Sequence, residues 1–307
     1  MGTVRLASGC YYGRMSTHAS LPADTHLAAV ALTVPDLDRS LRFYQHSLGF
    51  QLLARDGATA SLGVEDSHPL LVLHELASAR ARPRRATGLY HFAILHPSRL
   101  HLARTLRHLI EEGYPLQGAS DHLVSEAIYL ADPDDNGIEI YADRPRALWP
   151  RLDGAIRMST DPLDFDSLMA ELNADGGPWQ GLPAGTTIGH VHLHVDDLRR
   201  AEAFYCGLLG FDLVLRYGSS AMFVSAGGYH HHIGLNTWAG VGAPPPPADA
   251  VGLRTYEVVV PGEAAWAEVA ARIEASDTPF RQVEGGIELR DPAGNGVRVI
   301  WDRPGNG

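Results

Sequence analysis

The chain repeats itself, and that repetition narrows its folds more than any other feature. The stretch VPDLDRSLRFYQHSLGFQLLAR, beginning at Val34, returns as VDDLRRAEAFYCGLLGFDLVLR, beginning at Val195. Asp36, Leu37, Phe43, Tyr44, Leu48, Gly49, Phe50 and Arg55 match Asp197, Leu198, Phe204, Tyr205, Leu209, Gly210, Phe211 and Arg216 at a constant offset of 161 residues. A second stretch, LADPDDNGIEIYADRP from Leu130, returns as LRDPAGNGVRVIWDRP from Leu289, at a constant offset of 159 residues. Self-similarity at a fixed long period marks a duplicated structural block. The two repeated stretches differ from each other, so each half of the chain contains two distinct units.

Every unit has the same local grammar. A stretch of alternating or apolar character comes first (HLAAVALTV, GLYHFAIL, IGHVHLHV, LRTYEVVV), as a strand requires. A helical segment follows. Asp36 and Asp197 stand where their carboxylates can cap its free amides, and Gly49 and Gly210 stand where such helices end. Short strands separated by turn sequences such as DPDDNG complete the unit. Four βαβββ modules are therefore predicted, at about 25–76, 88–143, 187–238 and 251–303. The fold class is α+β. Residues 1–24 read as a disordered tail, 25–143 as a first two-module domain, 144–186 as a linker and 187–303 as a second two-module domain. The linker holds one short helical candidate, DPLDFDSLMAELN. The proline run in GVGAPPPPADA is an extended spacer.

The chain has 307 residues, 45% of them hydrophobic, with a net charge of −11. A surplus of that sign argues against nucleic acid and anionic membranes as partners. No apolar run approaches the roughly 18 residues needed to span a bilayer. MGTVRLASGCYYGRM lacks the apolar centre of a secretory signal. The two cysteines, Cys10 and Cys206, sit in no metal-binding spacing, and Cys10 falls in the tail, so a disulfide is not expected and a reducing cytoplasm fits.

The two repeated motifs resemble those of the vicinal oxygen chelate superfamily, which includes glyoxalase I, bleomycin-resistance proteins and type I extradiol dioxygenases. The resemblance covers about 25–303. Within it, the four-module layout with GLYHFAILHPS, QGASDHLVSEAIYL and IGHVHLHV looks like the CatE-type catechol 2,3-dioxygenases. It implies that modules pair, that their sheets curl into incomplete-barrel cups, and that a divalent metal sits inside one. The implied ligands lie on the first strand of each paired module and on the last strand of one.

The repeat tests those positions inside a single chain. The first-strand position of module three is His190, and its copy in module one is Ala29. The first-strand position of module two is His91, and its copy in module four is Thr255. The last-strand position of module two is Glu139, and its copy is Arg298. His91, Glu139 and His190 can bind a metal; Ala29, Thr255 and Arg298 cannot. Modules two and three should therefore pair, leaving one and four to form a metal-free cup; pairing one with two and three with four would scatter the ligands. The strand period of two puts Glu139 opposite Ile138 and Ile140, and a carboxylate on an inner face needs a charge partner. Two imidazoles and a carboxylate with open positions form the facial triad of non-haem Fe(II) oxygenases. His192 and His194 read as ordinary strand residues, and DPDDN, which lacks the spacing of an EF-hand loop, as a turn.

The resemblance implies further roles. A Gly-x-His-His stretch carries the acid–base histidine of extradiol enzymes in its second His. Gly228-Tyr229-His230-His231 fits, so His231 is the candidate, with His230 and His232 as the neighbouring alternatives. An imidazole with pKa near 6.5 suits that task. Tyr129, ten residues before Glu139, would donate a hydrogen bond to a ligand hydroxyl, or else is a core strand tyrosine. His122 is the candidate for a further histidine in the pocket. The implied activity is 2,3-cleavage of catechol or a substituted catechol by O2 to a semialdehyde, with Fe(II) as cofactor and Mn(II) as the alternative. A homo-oligomer is an open option. The competing readings are a glyoxalase-I-type isomerase or lyase and a non-catalytic antibiotic-binding protein. The first needs a fourth ligand near Ile233-Gly234-Leu235, where Gly234 offers no side chain; the second needs no metal.

Overall fold

The computed structural model describes residues 20–65, 68–173 and 177–302. Each module forms as its sequence pattern requires, with one helix crossing over between the first strand and three further strands. The side chain of Asp36 accepts a hydrogen bond from the amide of Arg39, and that of Asp197 from Arg199 and Arg200. Both helices then widen into π turns, over Phe43–Ser47 and Ala203–Leu209. Gly49 and Gly210 follow with φ of +79° and +95°, backbone angles that side-chain-bearing residues avoid. Gly49 is doubly constrained, because a Cβ there would lie 2.3 Å from Gly181 Cα.

Strand pairing joins the modules into two eight-stranded sheets. In one, Gly88–His96 of module two lies antiparallel to Thr187–His194 of module three. Outward from this pair run Gly137–Asp143, Ser125–Ala131 and Gly118–Asp121 on one side. Ile233–Asn236, Ala221–Ser225 and Asp212–Tyr217 follow on the other. The second sheet is built alike around His26–Val34 of module one and Gly252–Pro261 of module four. Each sheet therefore takes one module from each half of the chain. The middle modules share a sheet, as the ligand positions demand, and the curled sheets form two half-barrels.

Helices pack outside the sheets, and one continuous apolar core runs through both. Two buried clasps stitch the cups together. Tyr44 of module one donates its hydroxyl proton to Asp132 of module two at 2.8 Å, and Tyr205 of module three donates to Asp291 of module four at 2.9 Å. Each aspartate also accepts from the backbone and side-chain amides of the asparagine four residues on, Asn136 or Asn295. This explains why both repeated motifs survive together: the Tyr of one and the Asp-Pro-x-x-Asn of the other are two ends of one contact.

The predicted tail of 1–24 lies outside the described residues as far as residue 19. Residues 20–24 differ from that reading: Leu21 is buried and its amide bonds to the carbonyl of Gly210 at 2.8 Å. The linker helix forms over Phe165–Ala170, capped by Asp164. Ahead of it, the connection crosses the mouth of the cup built by modules two and three. Trp149 and Ile156 pack with Val124 and Tyr229, and Met158 and Val214 join that cluster. Asp121 and Asp161 pair their backbones across the crossing.

Candidate active site

Strand alternation divides the central residues cleanly. Phe92, Ile94, Ile138, Ile140, Val191 and Leu193 face the main core. Their neighbours face the inside of the cup. Register then sets the floor: Tyr129, Glu139, Ala93 and His190 lie side by side across four strands, and Gly137, His91, His192 and Gly234 form the next row. Ala93 carries only a methyl group, so Glu139 and His190 meet over it. A Cβ on Gly234 would lie 2.8 Å from the ring of His192, so the position the isomerase reading needs for a ligand is filled by that imidazole.

His91, Glu139 and His190 each offer one ligand atom, and the three atoms lie within 4.8 Å of one another. All three residues are buried. Glu139 Oε2 accepts a hydrogen bond from His190 Nε2 at 3.1 Å. His91 Nε2 lies 3.0 Å from the same oxygen, but off the line of a hydrogen bond, and has no other partner. Burial alone pushes the Glu139 carboxyl up; the two imidazoles more than offset it and leave it well below the usual carboxylate range. Burial likewise lowers His190, to about 4, against the opposing pull of Glu139. The site therefore holds an ionised carboxylate beside a neutral His190, the protonation state a cation needs. A buried imidazole nitrogen without a hydrogen-bond partner, beside a buried carboxylate, fits a set of metal ligands better than a finished hydrogen-bond network.

The counterpart cup shows what happens without those residues. Arg298 stands at the position of Glu139 and Glu257 at that of Ala93. The two form an ion pair at 2.7 Å, with Glu288 a further 3.9 Å contact of the guanidinium. A built-in cation takes the place that the other cup leaves to a ligand.

A cavity of about 360 Å³ opens above the metal-capable residues, and His91, Glu139, Tyr129, His122 and His231 line it. His190 lies behind this wall, with its ring centre 4.1 Å from that of His231. The three consecutive histidines separate here. His230 is fully buried, and its Nε2 lies 2.9 Å from Asp143 Oδ1. His232 accepts from the amide of Ala226 at 3.2 Å, away from the cavity. Only His231 of the three lines the cavity. Its Nδ1 lies 2.8 Å from Nδ1 of His230. With Asp143 ionised and both imidazoles neutral, the chain has one polarity: His230 donates to Asp143 and His231 donates to His230. The Nε2 of His231 is then free of a proton. Burial, then the neighbouring His190 and His230, holds its pKa well below the ordinary range.

The same reasoning bears on the role expected of Tyr129. His122 Nδ1 lies 2.7 Å from the carbonyl of Ser159, an atom that can only accept, so that nitrogen carries the proton. The Nε2 of a neutral His122 then accepts, and Tyr129 donates its hydroxyl proton to it at 2.6 Å. In that tautomer Tyr129 turns an acceptor toward the cavity, whereas the sequence reading expects a donor. Burial, then Glu139, raises its pKa, which keeps that proton in place. His192, read as an ordinary strand residue, also lines the cavity, with a buried Nε2 that has no partner; its alternation with His190 was the available signal. His194 does bond within the structure, to Asn236 at 2.7 Å.

Residues 26–140 and 187–299 match the Glyoxalase/Bleomycin resistance protein/Dioxygenase superfamily, and the chain belongs to it. The chain is 48% identical over 276 residues to a catechol-2,3-dioxygenase of Bacillus subtilis (strain 168), covering 89% of this chain and 96% of that protein. Among solved structures it is similar in fold to a candidate dioxygenase from Bacillus subtilis subsp. subtilis str. 168, at 14% identity and a TM-score of 0.63, covering 94% of this chain and 87% of that one. Glyoxalase I from Zea mays is similar as well, at 16% identity and a TM-score of 0.54, covering 90% and 92%. No helix among the described residues is long and apolar enough to cross a membrane.

Proposed function

We propose that the chain is a metal-dependent extradiol dioxygenase that opens a catechol ring with O2 to give a semialdehyde acid. One observation carries the reading: two imidazoles and a carboxylate converge within 4.8 Å beneath a cavity whose wall presents His231. The similarity to a catechol-2,3-dioxygenase supports the same chemistry.

His91, Glu139 and His190 would hold the ion, one carboxylate charge and two neutral nitrogens suiting Fe(II), with Mn(II) the near equivalent at such donors. When bound, it supplies coordination of the diol and of O2 and the path for electrons between them. His231 Nε2 takes a proton from a catechol hydroxyl and holds it for return to the product side. His230 and Asp143 keep that imidazole in the right tautomer and orientation. Tyr129 accepts a hydrogen bond from a substrate hydroxyl, its own proton held by His122. The linker segment that supplies the Ser159 carbonyl fixes this polarity and covers the cup from water.

The test is direct. Metal-free protein is loaded with Fe(II) under anaerobic conditions, given catechol and exposed to air. A yellow semialdehyde should form with wild type and not with His91→Ala. Absence of colour with wild type, together with conversion of the methylglyoxal–glutathione adduct, would replace this reading with the isomerase.

A further inference from the structure

The two lips of the cup differ chemically. The lip formed by strands Asp212–Tyr217 and Ala221–Ser225 presents Leu215, Tyr217 and Phe223 to the cavity, and Trp238 stands beside them. The opposite lip, at strand Gly118–Asp121, presents Gln117 and Ser120, and Ser159 joins it from the crossing linker. The cavity of about 360 Å³ lies in the range of clefts that bury substituted, drug-sized ligands, well beyond what a bare ring with two hydroxyls fills. Among the described residues that line it there is no lysine or arginine. Arg144, on the adjoining strand end, is committed to Asp121 and Glu126.

We propose that this site selects an uncharged catechol bearing an apolar substituent, with that substituent lying against the lip of Leu215, Tyr217 and Phe223. The inference rests on the ring-cleavage reading above and names its substrate class. A diol held at the floor between His231 and Tyr129 leaves the rest of the ring to point up the cavity, where one wall is apolar and the other offers hydroxyls and an amide but no lysine or arginine. A carboxylate on that substituent, pointing away from the floor, would enter a low-dielectric space whose lining offers it no lysine or arginine.

The experiment separates binding from turnover. Metal-loaded protein is titrated anaerobically with catechol, 4-ethylcatechol, 4-butylcatechol and 3-phenylcatechol, and with 3,4-dihydroxybenzoate and 3,4-dihydroxyphenylacetate, by isothermal titration calorimetry. Affinity should rise roughly threefold to fourfold per added methylene until the cavity fills. Each carboxylated catechol should bind at least about a hundredfold more weakly than its uncharged partner of equal size. The exposed lip variant Tyr217→Arg should recover carboxylate binding at least about tenfold. Carboxylated catechols within threefold of the alkyl series, or bare catechol the tightest of all, would overturn the inference. Admitting air then reads turnover on the same samples. Selective binding without ring cleavage would sink the proposed reaction and leave the substrate class standing; cleavage without selectivity would do the reverse.

Discussion

Replacing Glu139 by glutamine tests the centre of the reading with the smallest change of shape. The amide fills the same volume over Ala93 and keeps an oxygen for one imidazole. What disappears is the only formal negative charge among the three ligand residues. In the wild type that charge is buried at 3% exposure, and Oε2 lies 3.1 Å from His190 Nε2 and 3.0 Å from His91 Nε2. Removing one partner from a buried set of opposite charges costs about 3–5 kcal/mol. Referred to the bound ion, that is roughly two to more than three orders of magnitude in affinity. Anaerobic titration with Mn(II), counting free ion by electron paramagnetic resonance, measures it without needing activity. Circular dichroism of the metal-free variant guards against unfolding as the cause. Arg298→Gln, at the equivalent position in the other cup, should leave Mn(II) affinity unchanged. If the folded Glu139→Gln protein binds Mn(II) within threefold of wild type, the ligand assignment is wrong.

Other outcomes follow from the same geometry. His231→Gln should lower kcat by about 10²–10⁴ while metal content stays at the wild-type level; full activity would remove His231 from the reaction. Tyr44→Phe takes one hydrogen bond from the buried carboxylate of Asp132 and should reduce stability in urea by about 1.5–3 kcal/mol. Tyr205→Phe should add independently, and a combined loss below 0.5 kcal/mol would show that the clasps do not hold the cups. Burial lowers His96 to about 3, its Nε2 meeting Thr105 Oγ1 at 2.9 Å. Below its ordinary pKa the unfolded chain takes up a proton that the folded chain refuses, so this stability is whole above about 6.5 and is lost as the pH falls towards 3. Urea unfolding of metal-free protein at pH 7 and pH 4.5 should show the loss, and His96→Gln should shrink it; an unchanged pH slope in that variant would assign the effect elsewhere.

Much of the site was legible because symmetry and alternation are properties of sequence. The offset between the copies distinguished Glu139 from Arg298, and the flanking isoleucines told which way Glu139 faces. Asp36 and Asp197 announced their helices. Other features need distance in space. Asp132 lies 88 residues from Tyr44, so its motif could be read only as a turn until the two cups were seen together. The polarity of Tyr129 depends on a carbonyl of the linker, a segment with no pattern of its own. His192 looks like any strand histidine until Gly234 is found beneath its ring. The separation of His230, His231 and His232 depends on what each ring touches, which three identical letters cannot encode.

The seam between the halves has a consequence for how such a chain can change. His91 and Glu139 come from the first half, His190 and His231 from the second, so neither half holds all the residues of the proposed centre. Two separate identical halves joined as a dimer would be bound to equality, with every pocket armed or every pocket blank. A covalent tether lifts that bond. One cup can trade its ligands for an arginine–glutamate pair and serve as ballast, while its twin keeps the chemistry.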